Sequence, residues 1–262
     1  MPTDLTKQPR RSYSRNPLSQ VLCQIRFPTL QRFQEPGFLG PVQEALRDRY
    51  PRSRQEQQIA MLIGPGGASP GPATTQFWRF EDPNADWSIS FGADFLGVET
   101  RRYTRFEDLL ERVTAILPIA SAVGVNWRER LGLRYINQMR HEQAGSPAAW
   151  RQLLQPKFLG MVGGDELGED VIHAIQEIRL REKDGVLMIR HGFVGPEASN
   201  GDPFYLLDID CADETSKELN TEDVVRQLWA YHDRVNGLFE LTLTDDMREH
   251  LGYEGEIDDS RE

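Results

Sequence analysis

The sequence predicts an α+β protein built from two β-α-β(3–4)-α repeats, in which curved antiparallel sheets are covered by long helices. Two observations support this prediction. An apolar-Arg-aromatic strand core occurs twice, as Ile25-Arg26-Phe27 and as Leu133-Arg134-Tyr135. Each copy is followed by a short helix signal, several strand signals and a longer amphipathic helix, an order that lets short strands bury one face against a helix.

The repeats divide the chain into four segments. Residues 1–14 are polar and net basic, which predicts a disordered arm that becomes ordered only where something docks on it. Residues 15–125 and 126–253 are the first and second repeats, and residues 254–262 are predicted to be a disordered acidic tail. Whether the two repeats form one continuous sheet or two separate domains stays open at the level of sequence.

In the first repeat, a strand is predicted near Leu18–Phe27, because apolar residues alternate there with polar ones. A short helix begins at Pro41 and ends before Pro51. A long amphipathic helix follows residue 104, and the pattern Thr104-x-x-Glu107 predicts a capping box at its start. Between the two helices lie four predicted strands, Gln57–Ile63, Gln76–Glu81, Trp87–Gly92 and Phe95–Tyr103, of which the first two are joined by the Gly- and Pro-rich loop 64–72.

The second repeat follows the same order after its first strand. Ser146 and Pro147 start a short helix, and the long final helix opens at Asn220 or Thr221. Asp184-Gly185 predicts a hairpin turn between two alternating segments. The remaining predicted elements are strands at Ile172–Glu182, Val186–Val194 and Tyr205–Cys211 and a short helix after Thr244. This element order resembles the half-repeat of the TATA-binding-protein-like and helix-grip folds, and such a resemblance does not fix a function.

Composition and cysteine usage indicate a soluble cytoplasmic protein. The two cysteines, Cys23 and Cys211, cannot form a disulfide framework, and no secretory segment is recognisable near the N-terminus. The longest apolar stretch, from Ile116 to Val123, is too short to span a bilayer and contains Pro118. We therefore expect no membrane association.

Charge is distributed unevenly along the chain. Residues 1–125 contain 15 basic and 13 acidic side chains, a net of +2, whereas residues 126–262 contain 15 and 28, a net of −13. Residues 1–54 alone have a net charge of +6. Such polarity can steer an anionic ligand to one end or support association between molecules, although ordinary surface charge for solubility gives the same pattern.

Six polar residues are candidates for binding. An Arg inside an apolar strand is costly to bury unless its guanidinium is paired or faces a groove. If the two leading strands are neighbours, their arginines would form a pseudo-symmetric anion-binding pair; alternatively, each lies on the solvent face and bridges to a sheet carboxylate such as Glu99 or Glu177. The six candidates are Arg15, Asn16, Arg26, Arg134, Asn137 and His191.

No catalytic or metal-binding motif is recognisable, so neither catalytic residues nor metal ligands nor a cofactor are expected. His191 lies on the apolar face of its strand, and pairing across the Asp184-Gly185 turn would place it opposite Ile178, as a core residue or as a ligand-binding group. Asp208 and Asp210 share one strand face. They could hold Mg²⁺, but a solvated strand edge is the simpler interpretation.

Three segments together resemble a sporadically distributed bacterial family of uncharacterised proteins of about this chain length. The resemblance implies an accessory gene linked to bacterial defence or to mobile elements, and it transfers no activity and no site residue. The segments are Tyr13-Ser14-Arg15-Asn16-Pro17-Leu18 with Val21-Leu22-Cys23-Gln24-Ile25-Arg26-Phe27, then Tyr103-Thr104-Arg105-Phe106-Glu107-Asp108, and Arg130-Leu131-Gly132-Leu133-Arg134-Tyr135-Ile136-Asn137.

The function that these observations favour is that of a non-enzymatic binding or accessory protein, which acts through a protein partner or by self-association. One alternative is a small-ligand-binding protein with a pocket between sheet and helix. Another is nucleic-acid binding through the basic N-terminal half, which the net charge of −11 disfavours because it repels a phosphate backbone. An enzyme that uses dispersed residues is a further alternative.

Overall fold

The computed structural model describes residues 8–64, 67–164, 167, 171–182, 185–199 and 201–257. The predicted α+β class is confirmed by the mixture of antiparallel strands and helices. The strands are β1 (Arg11–Tyr13), β2 (Leu18–Arg26), β3 (Arg52–Gly64), β4 (Gly67–Glu81), β5 (Trp87–Gly92), β6 (Phe95–Thr100), β7 (Trp127–Arg128), β8 (Arg130–Met139), β9 (His173–Glu182), β10 (Gly185–Val194), β11 (Phe204–Asp213), β12 (Lys217–Glu218) and β13 (Tyr253–Glu256). The helices are α1 (Gly40–Leu46), α2 (Phe106–Ala122), α3 (Pro156–Leu159), α4 (Pro196–Ser199), α5 (Thr221–Thr242) and α6 (Asp245–His250).

The chain divides into two compact units, and each contains segments that are distant in sequence. Unit 1 comprises the described residues up to Val21, Leu133–Ala212 and the described residues from Gln227 onward. Unit 2 comprises Leu22–Gly132 together with Asp213–Arg226. The predicted boundaries of the repeats stay predictions, and the compact units do not follow the same division of the chain.

In unit 2, the strands are ordered β3-β4-β5-β6-β2, and β3–β4, β4–β5 and β5–β6 pair antiparallel. The sheet buries one face beneath α2, whose apolar residues recur every three or four positions and include Leu109, Val113 and Leu117, all buried. β3 and β4 extend through most of the predicted loop 64–72, of which only residues 65 and 66 lie outside the described part of the chain. The two strands therefore extend further than the predicted ones.

The start of α2 differs from the predicted capping box. The helix begins at Phe106, and no side chain accepts a hydrogen bond from its first backbone N–H groups at the cap position. The Thr104 hydroxyl instead donates to the Asp108 carboxylate. The Asp108 carboxylate, one turn into the helix, thus binds the hydroxyl that the capping box would place near the backbone. Sequence spacing alone does not reveal this choice of partner.

In unit 1, the strands are ordered β8-β11-β10-β9, and α5 lies over the face that contains Leu187 and Leu207. As predicted, α5 opens at Asn220 and Thr221, where the Asn220 side chain accepts from the Asp223 N–H at 2.9 Å. The short helix after Thr244 is also confirmed as α6.

The register of the β9–β10 hairpin differs from the predicted one by two residues. Glu182 pairs with Gly185, so that His191 lies opposite Gln176 rather than Ile178. Gly192 on β10 allows β9 to lie close to β10 in this register. Gly192 adopts φ +150°, and a Cβ at this position would lie 1.9 Å from the Ala174 carbonyl oxygen, so only glycine permits the approach.

The predicted disordered arm and tail are ordered where the structure describes them. β1 pairs with β13 in a two-stranded antiparallel sheet, with Arg11 opposite Glu256 and Ser12 opposite Gly255. The prediction of disorder is therefore wrong for these two strands, because polar composition does not reveal that the two segments pair with each other. Residues 1–7 and 258–262 lie outside the described residues. None of the helices in the described part of the chain is long and apolar enough to cross a membrane.

Candidate functional site

A row of three charged side chains crosses the face of the unit 1 sheet opposite to the one that contains Leu207, and we call it the first charged row. Arg134 on β8 donates from Nε to Asp208 Oδ1 and from Nη2 to Asp208 Oδ2, each at 2.7 Å. Arg190 on β10 donates from Nε to Asp208 Oδ2 at 3.2 Å. The Asp208 side chain is only 1% exposed, whereas that of Arg134 is 30% exposed. A buried carboxylate is thus held between two partly exposed guanidinium groups.

This arrangement changes the interpretation of Arg134 as half of an anion-binding pair. Donation to Asp208 raises the pKa of Arg134 and outweighs the effect of burial, so the guanidinium stays charged. The two nitrogens that could bind an anion in a bidentate way already bind Asp208. Arg134 thus follows the alternative in which an arginine on the solvent face bridges to a sheet carboxylate. Arg26 lies exposed at the end of β2 in unit 2, and a joint anion site with Arg134 stays a prediction.

The prediction of a solvated strand edge is wrong for Asp208. β11 lies between β8 and β10, so it is an interior strand, and Asp208 is buried there. Its burial is tolerated because two guanidinium groups from the neighbouring strands satisfy the carboxylate. Asp210, two residues further along the same face, is half-buried.

His191 is a buried core residue. Its Nδ1 lies 2.7 Å from the Tyr205 hydroxyl oxygen, and that hydroxyl donates its proton to the Phe158 carbonyl at 2.6 Å. Because the Tyr205 hydrogen is used in this way, Nδ1 of His191 must be the donor. Burial lowers the pKa of His191, which keeps the imidazole neutral and suits it to packing rather than to anion binding.

The other three candidates also make structural hydrogen bonds. Asn137 is buried, and its Nδ2 donates to the Leu207 carbonyl at 3.0 Å across to the neighbouring strand. Exposed Asn16 accepts from the Leu18 N–H at 3.0 Å through Oδ1. Exposed Arg15 donates to a backbone carbonyl near the end of α6 at 3.4 Å. The hydrogen bonds of these three residues, like those of Arg134 and His191, therefore lie within unit 1.

A second charged row lies on the sheet of unit 2, and sequence reasoning missed it. Arg79 on β4 donates from Nε to Glu56 on β3 at 2.9 Å, and its Nη1 lies 3.5 Å from Glu99 on β6. Nη1 of Arg79 also donates to the Ser88 hydroxyl at 2.8 Å. The Arg79 side chain is 19% exposed. The available signal was the alternation of charged residues along one face of β3 and β4.

A third cluster surrounds Arg128, whose side chain is 0% exposed. Its guanidinium nitrogens lie 3.1 Å from Asp213 and 3.0 Å from Asp223. Lys217 reaches Asp223 at 2.9 Å from the neighbouring strand β12. These bonds join β7 and β12 to the start of α5 within unit 2, so the cluster has a clear structural role.

A buried carboxylate on α5 explains why the N-terminal segment is ordered. Glu240 is fully buried and accepts from Arg11 Nη1 at 2.7 Å and from the Tyr13 hydroxyl at 2.8 Å. Arg248 reaches the same carboxylate at 3.3 Å. Burial raises the pKa of the Tyr13 hydroxyl, as does the nearby Glu240 charge, so the hydroxyl remains a donor. Sequence spacing gave no sign of this cluster, because Arg11 and Tyr13 lie more than 220 residues before Glu240.

β9, the last strand in the sheet order of unit 1, is largely exposed. Seven of its ten residues are exposed and none is buried. Ile175 and Leu180 lie on opposite faces of the strand and are both exposed, and Ile172 immediately before the strand is more exposed still. Within the described residues, no strand and no backbone hydrogen bond of a neighbouring loop occupies the outer edge of β9.

An open cleft lies between α1 and the sheet of unit 2. Its volume is about 330 Å³, and it is lined by the rings of Phe33, Phe38 and Trp78 together with the amides of Gln43 and Gln55. The cleft combines aromatic surface with hydrogen-bonding groups, a combination typical of small-molecule sites.

The described residues contain no group of three or more His, Cys, Asp or Glu side chains that could hold a metal ion. A scan of the chain against models of known protein families finds no match, and a search among curated proteins also finds no relative.

Proposed function

We propose that this chain is a non-enzymatic binding or accessory protein that acts through a protein partner. The observation that supports the proposal is the exposed edge strand β9, ten residues long, with no buried residue. Proteins normally shorten, cover or charge such an edge, because its unpaired backbone groups form a template for another strand. β9 carries charges of both signs, but it is long and accessible among the described residues, which fits a strand that receives a partner of complementary charge.

The mode of binding would be strand addition. Main-chain hydrogen bonds along the edge provide affinity, and side chains on alternate faces provide specificity. Ile175 and Leu180 place one exposed apolar side chain on each face of β9, and either face could hold an apolar residue of the incoming strand. Glu177 and Arg179 provide charges of both signs beside them.

The charged clusters are better explained as structural than as catalytic or nucleic-acid-binding. Asp208 and Glu240 are both saturated by arginines, which leaves neither carboxylate available for acid–base work. Arg49, Arg54 and Arg79 in the basic half are paired with glutamates, which reduces the positive surface available to a phosphate backbone.

The finer fold description belongs to the same proposal. We infer that the chain contains two β-α-β(3–4)-α repeats with a TATA-binding-protein-like or helix-grip-like order of elements. The strand-helix-strands-helix order after Leu18 and again after Arg130 supports this inference. The cytoplasmic location and the link to bacterial defence or mobile elements rest on cysteine usage and on the resemblance of the three sequence segments.

Co-purification from the host tests the proposed function. The wild-type protein should retain a stoichiometric protein partner, and the double variant Ile175→Lys/Leu180→Lys should lose it, because charged side chains on both faces of an edge strand oppose pairing. Ile257→Lys is the control, since it replaces an exposed apolar residue of unit 1 outside β9. With the identified partner in purified form, amide hydrogen exchange should slow in β9. A partner that the double variant retains would contradict the proposal.

A second candidate function is small-ligand binding, which the cleft over Trp78 favours. Denatured wild-type protein should then release a small molecule that the variant Gln55→Glu/Trp78→Ala does not, as measured by mass spectrometry after exhaustive washing. A matched control is Gln76→Glu, because Gln76 accepts from Gln55 at 3.3 Å but does not line the cleft. Identical small-molecule profiles in all three proteins would remove this candidate.

A further inference from the structure

We propose that the occupant of the β9 edge is a second copy of this chain, which pairs its own β9 antiparallel about Ile178. This inference rests on the proposed function and names its partner. It follows from three features of β9: an unoccupied outer edge among the described residues, exposure on both faces, and a sequence of charges that complements itself in one register.

Symmetry limits the registers that two copies can adopt. When two identical strands extend a sheet antiparallel, the two-fold axis is perpendicular to the sheet, so every side chain stays on its own face. Residues that oppose each other must then share a face, and one residue of the strand lies opposite its own counterpart. Each register of the pair is therefore defined by that central residue.

Charge then separates these registers. A centre at Glu177 or at Arg179 places that residue opposite itself, and a centre at Leu180 places Arg179 opposite Arg181. Each of these registers opposes like charges on adjacent strands, which is destabilising. A centre at Ile178 instead places Glu177 of each copy opposite Arg179 of the other, giving two complementary pairs.

The same register also covers the exposed apolar residues. Ile178 meets Ile178 on the axis, and Leu180 lies opposite Gln176, whose aliphatic stem can cover it. On the other face, Ile175 lies opposite Arg181, whose long side chain can extend over an apolar neighbour while its charge stays in water. All of these residues are exposed or half-buried in the single chain, so none has to leave a packed position.

The charges in the single chain are compatible with this rearrangement. Nε of Arg179 donates to Glu177 Oε1 at 2.8 Å within the same strand, and the Arg179 side chain is 70% exposed. Such an exposed pair is weak and can be shared with a second copy at little cost. In the dimer the two glutamates and two arginines would form one alternating cluster.

The interface is a pair of strands with few further contacts, which places it at the small end of specific interfaces. We therefore expect a dissociation constant on the order of micromolar. We also expect weaker dimerisation at high salt, because the Glu177 and Arg179 side chains are exposed to solvent and their attraction is screened.

A charge-swap series measured by sedimentation velocity over a concentration range tests the proposal. Glu177→Arg and Arg179→Glu should each raise the dissociation constant at least about tenfold, because each places like charges opposite one another twice. The double variant Glu177→Arg/Arg179→Glu restores both pairs and should dimerise like the wild type. An equimolar mixture of the two single variants should form a heterodimer, since their altered strands complement each other. Ile257→Lys, outside β9, should leave dimerisation unchanged.

Three outcomes would overturn the proposal: a wild-type protein that stays monomeric at every concentration, single variants that dimerise as the wild type does, or a double variant and mixture that show no recovery. Circular dichroism of the exposed-site variants checks that each is folded. If the wild type is monomeric but Ile175→Lys/Leu180→Lys loses a co-purified protein, β9 binds a different protein and the proposed function stands. If that double variant also keeps its partner, both fail.

Discussion

The charged rows on the sheets of the two units have opposite arrangements of sign. In the first charged row, Asp208 lies between Arg134 and Arg190, so a central negative charge is flanked by two positive ones. In the second, Arg79 lies between Glu56 and Glu99, so the signs are reversed. The central Asp208 is 1% exposed and the central Arg79 is 19% exposed. In both rows, the central charge receives two partners of the opposite sign.

The sign of the flanking groups decides how the stability of the fold responds when the central charge of a row is removed. Arginine stays protonated at every pH that a folded protein experiences, so two arginines left without Asp208 cannot neutralise themselves. Glutamates left without an arginine can each take up a proton as the pH falls. The two rows should therefore tolerate the loss of their central charge differently, and differently at different pH.

The largest effect is expected for Asp208→Asn. This variant leaves two guanidinium groups facing a neutral buried amide, and the free energy of unfolding should fall by about 3 kcal/mol at pH 7. Chemical denaturation measures it. Asp210→Asn is the matched control, because Asp210 occupies the same face of β11 but is half-buried, and its loss should be clearly smaller. An equal loss in both variants would show that the buried row has no special role.

The second row should be broken by Arg79→Met, with a loss of about 2 kcal/mol at pH 7. Burial raises the pKa of Glu56, but hydrogen bonds from Arg79 and Arg54 outweigh burial, so the pKa of Glu56 lies below its ordinary value. Ionised Glu56 therefore stabilises the fold when the pH is above the ordinary pKa of a glutamate. This contribution is lost as the pH falls through the pKa of the folded state.

The difference between wild type and Arg79→Met should consequently shrink between pH 7 and pH 4, because Glu56 takes up a proton more readily in the variant, where it lacks the hydrogen bond from Arg79. For Asp208→Asn, the difference should persist from pH 7 to pH 5. Denaturation curves of both variants over these ranges provide the measurement. If the stability differences of the two variants change with pH in the same way, the sign of the flanking groups does not decide the response.

The regular elements of both rows were largely predictable from sequence, because strict alternation of apolar and polar residues defines strands locally. The predicted strands at Trp87–Gly92 and Val186–Val194 agree with the structure to within one residue. Likewise, helical spacing and a capping residue located α5. The buried faces followed from the same periodicity, as Cys23 and Cys211 show.

The partners of the charged groups were not predictable, because they depend on which strands become neighbours. In the local sequence, Asp208 is a polar residue of an alternating strand. Its burial depends on Arg134, which lies 74 residues earlier. The order of the N-terminal segment depends in the same way on Glu240, which lies 229 residues from Arg11. The two-residue error in the β9–β10 register shows the same limit at short range, since alternation fixes the face but not the pairing.

A smaller effect is expected from replacing arginine by lysine in the first charged row. Arg134 binds both Asp208 oxygens at 2.7 Å, a bidentate geometry that lysine cannot reproduce, whereas Arg190 contacts only Oδ2. Arg134→Lys should cost about 1 kcal/mol of unfolding free energy and Arg190→Lys less than half of that. Denaturation of the two single variants and of the double variant checks the order. A larger loss for Arg190→Lys would reverse the assignment of the main partner.

A pH-dependent effect is expected at Asp223, which flanks Arg128 and so repeats the sign order of the second row around a fully buried arginine. Burial opposes its ionisation, but hydrogen bonds from Lys217, Arg128 and Arg226 outweigh this and lower the pKa of Asp223 from 3.8 to about 2. A carboxylate whose pKa is lower in the folded than in the unfolded state stabilises the fold above the unfolded value, and loses that contribution as the pH falls through the folded one. The stability difference between wild type and Asp223→Asn should thus be constant above about pH 5 and decline between about pH 4 and pH 2. A difference that does not change with pH in this range would mean that Asp223 acts through its position at the start of α5 and not through its charge.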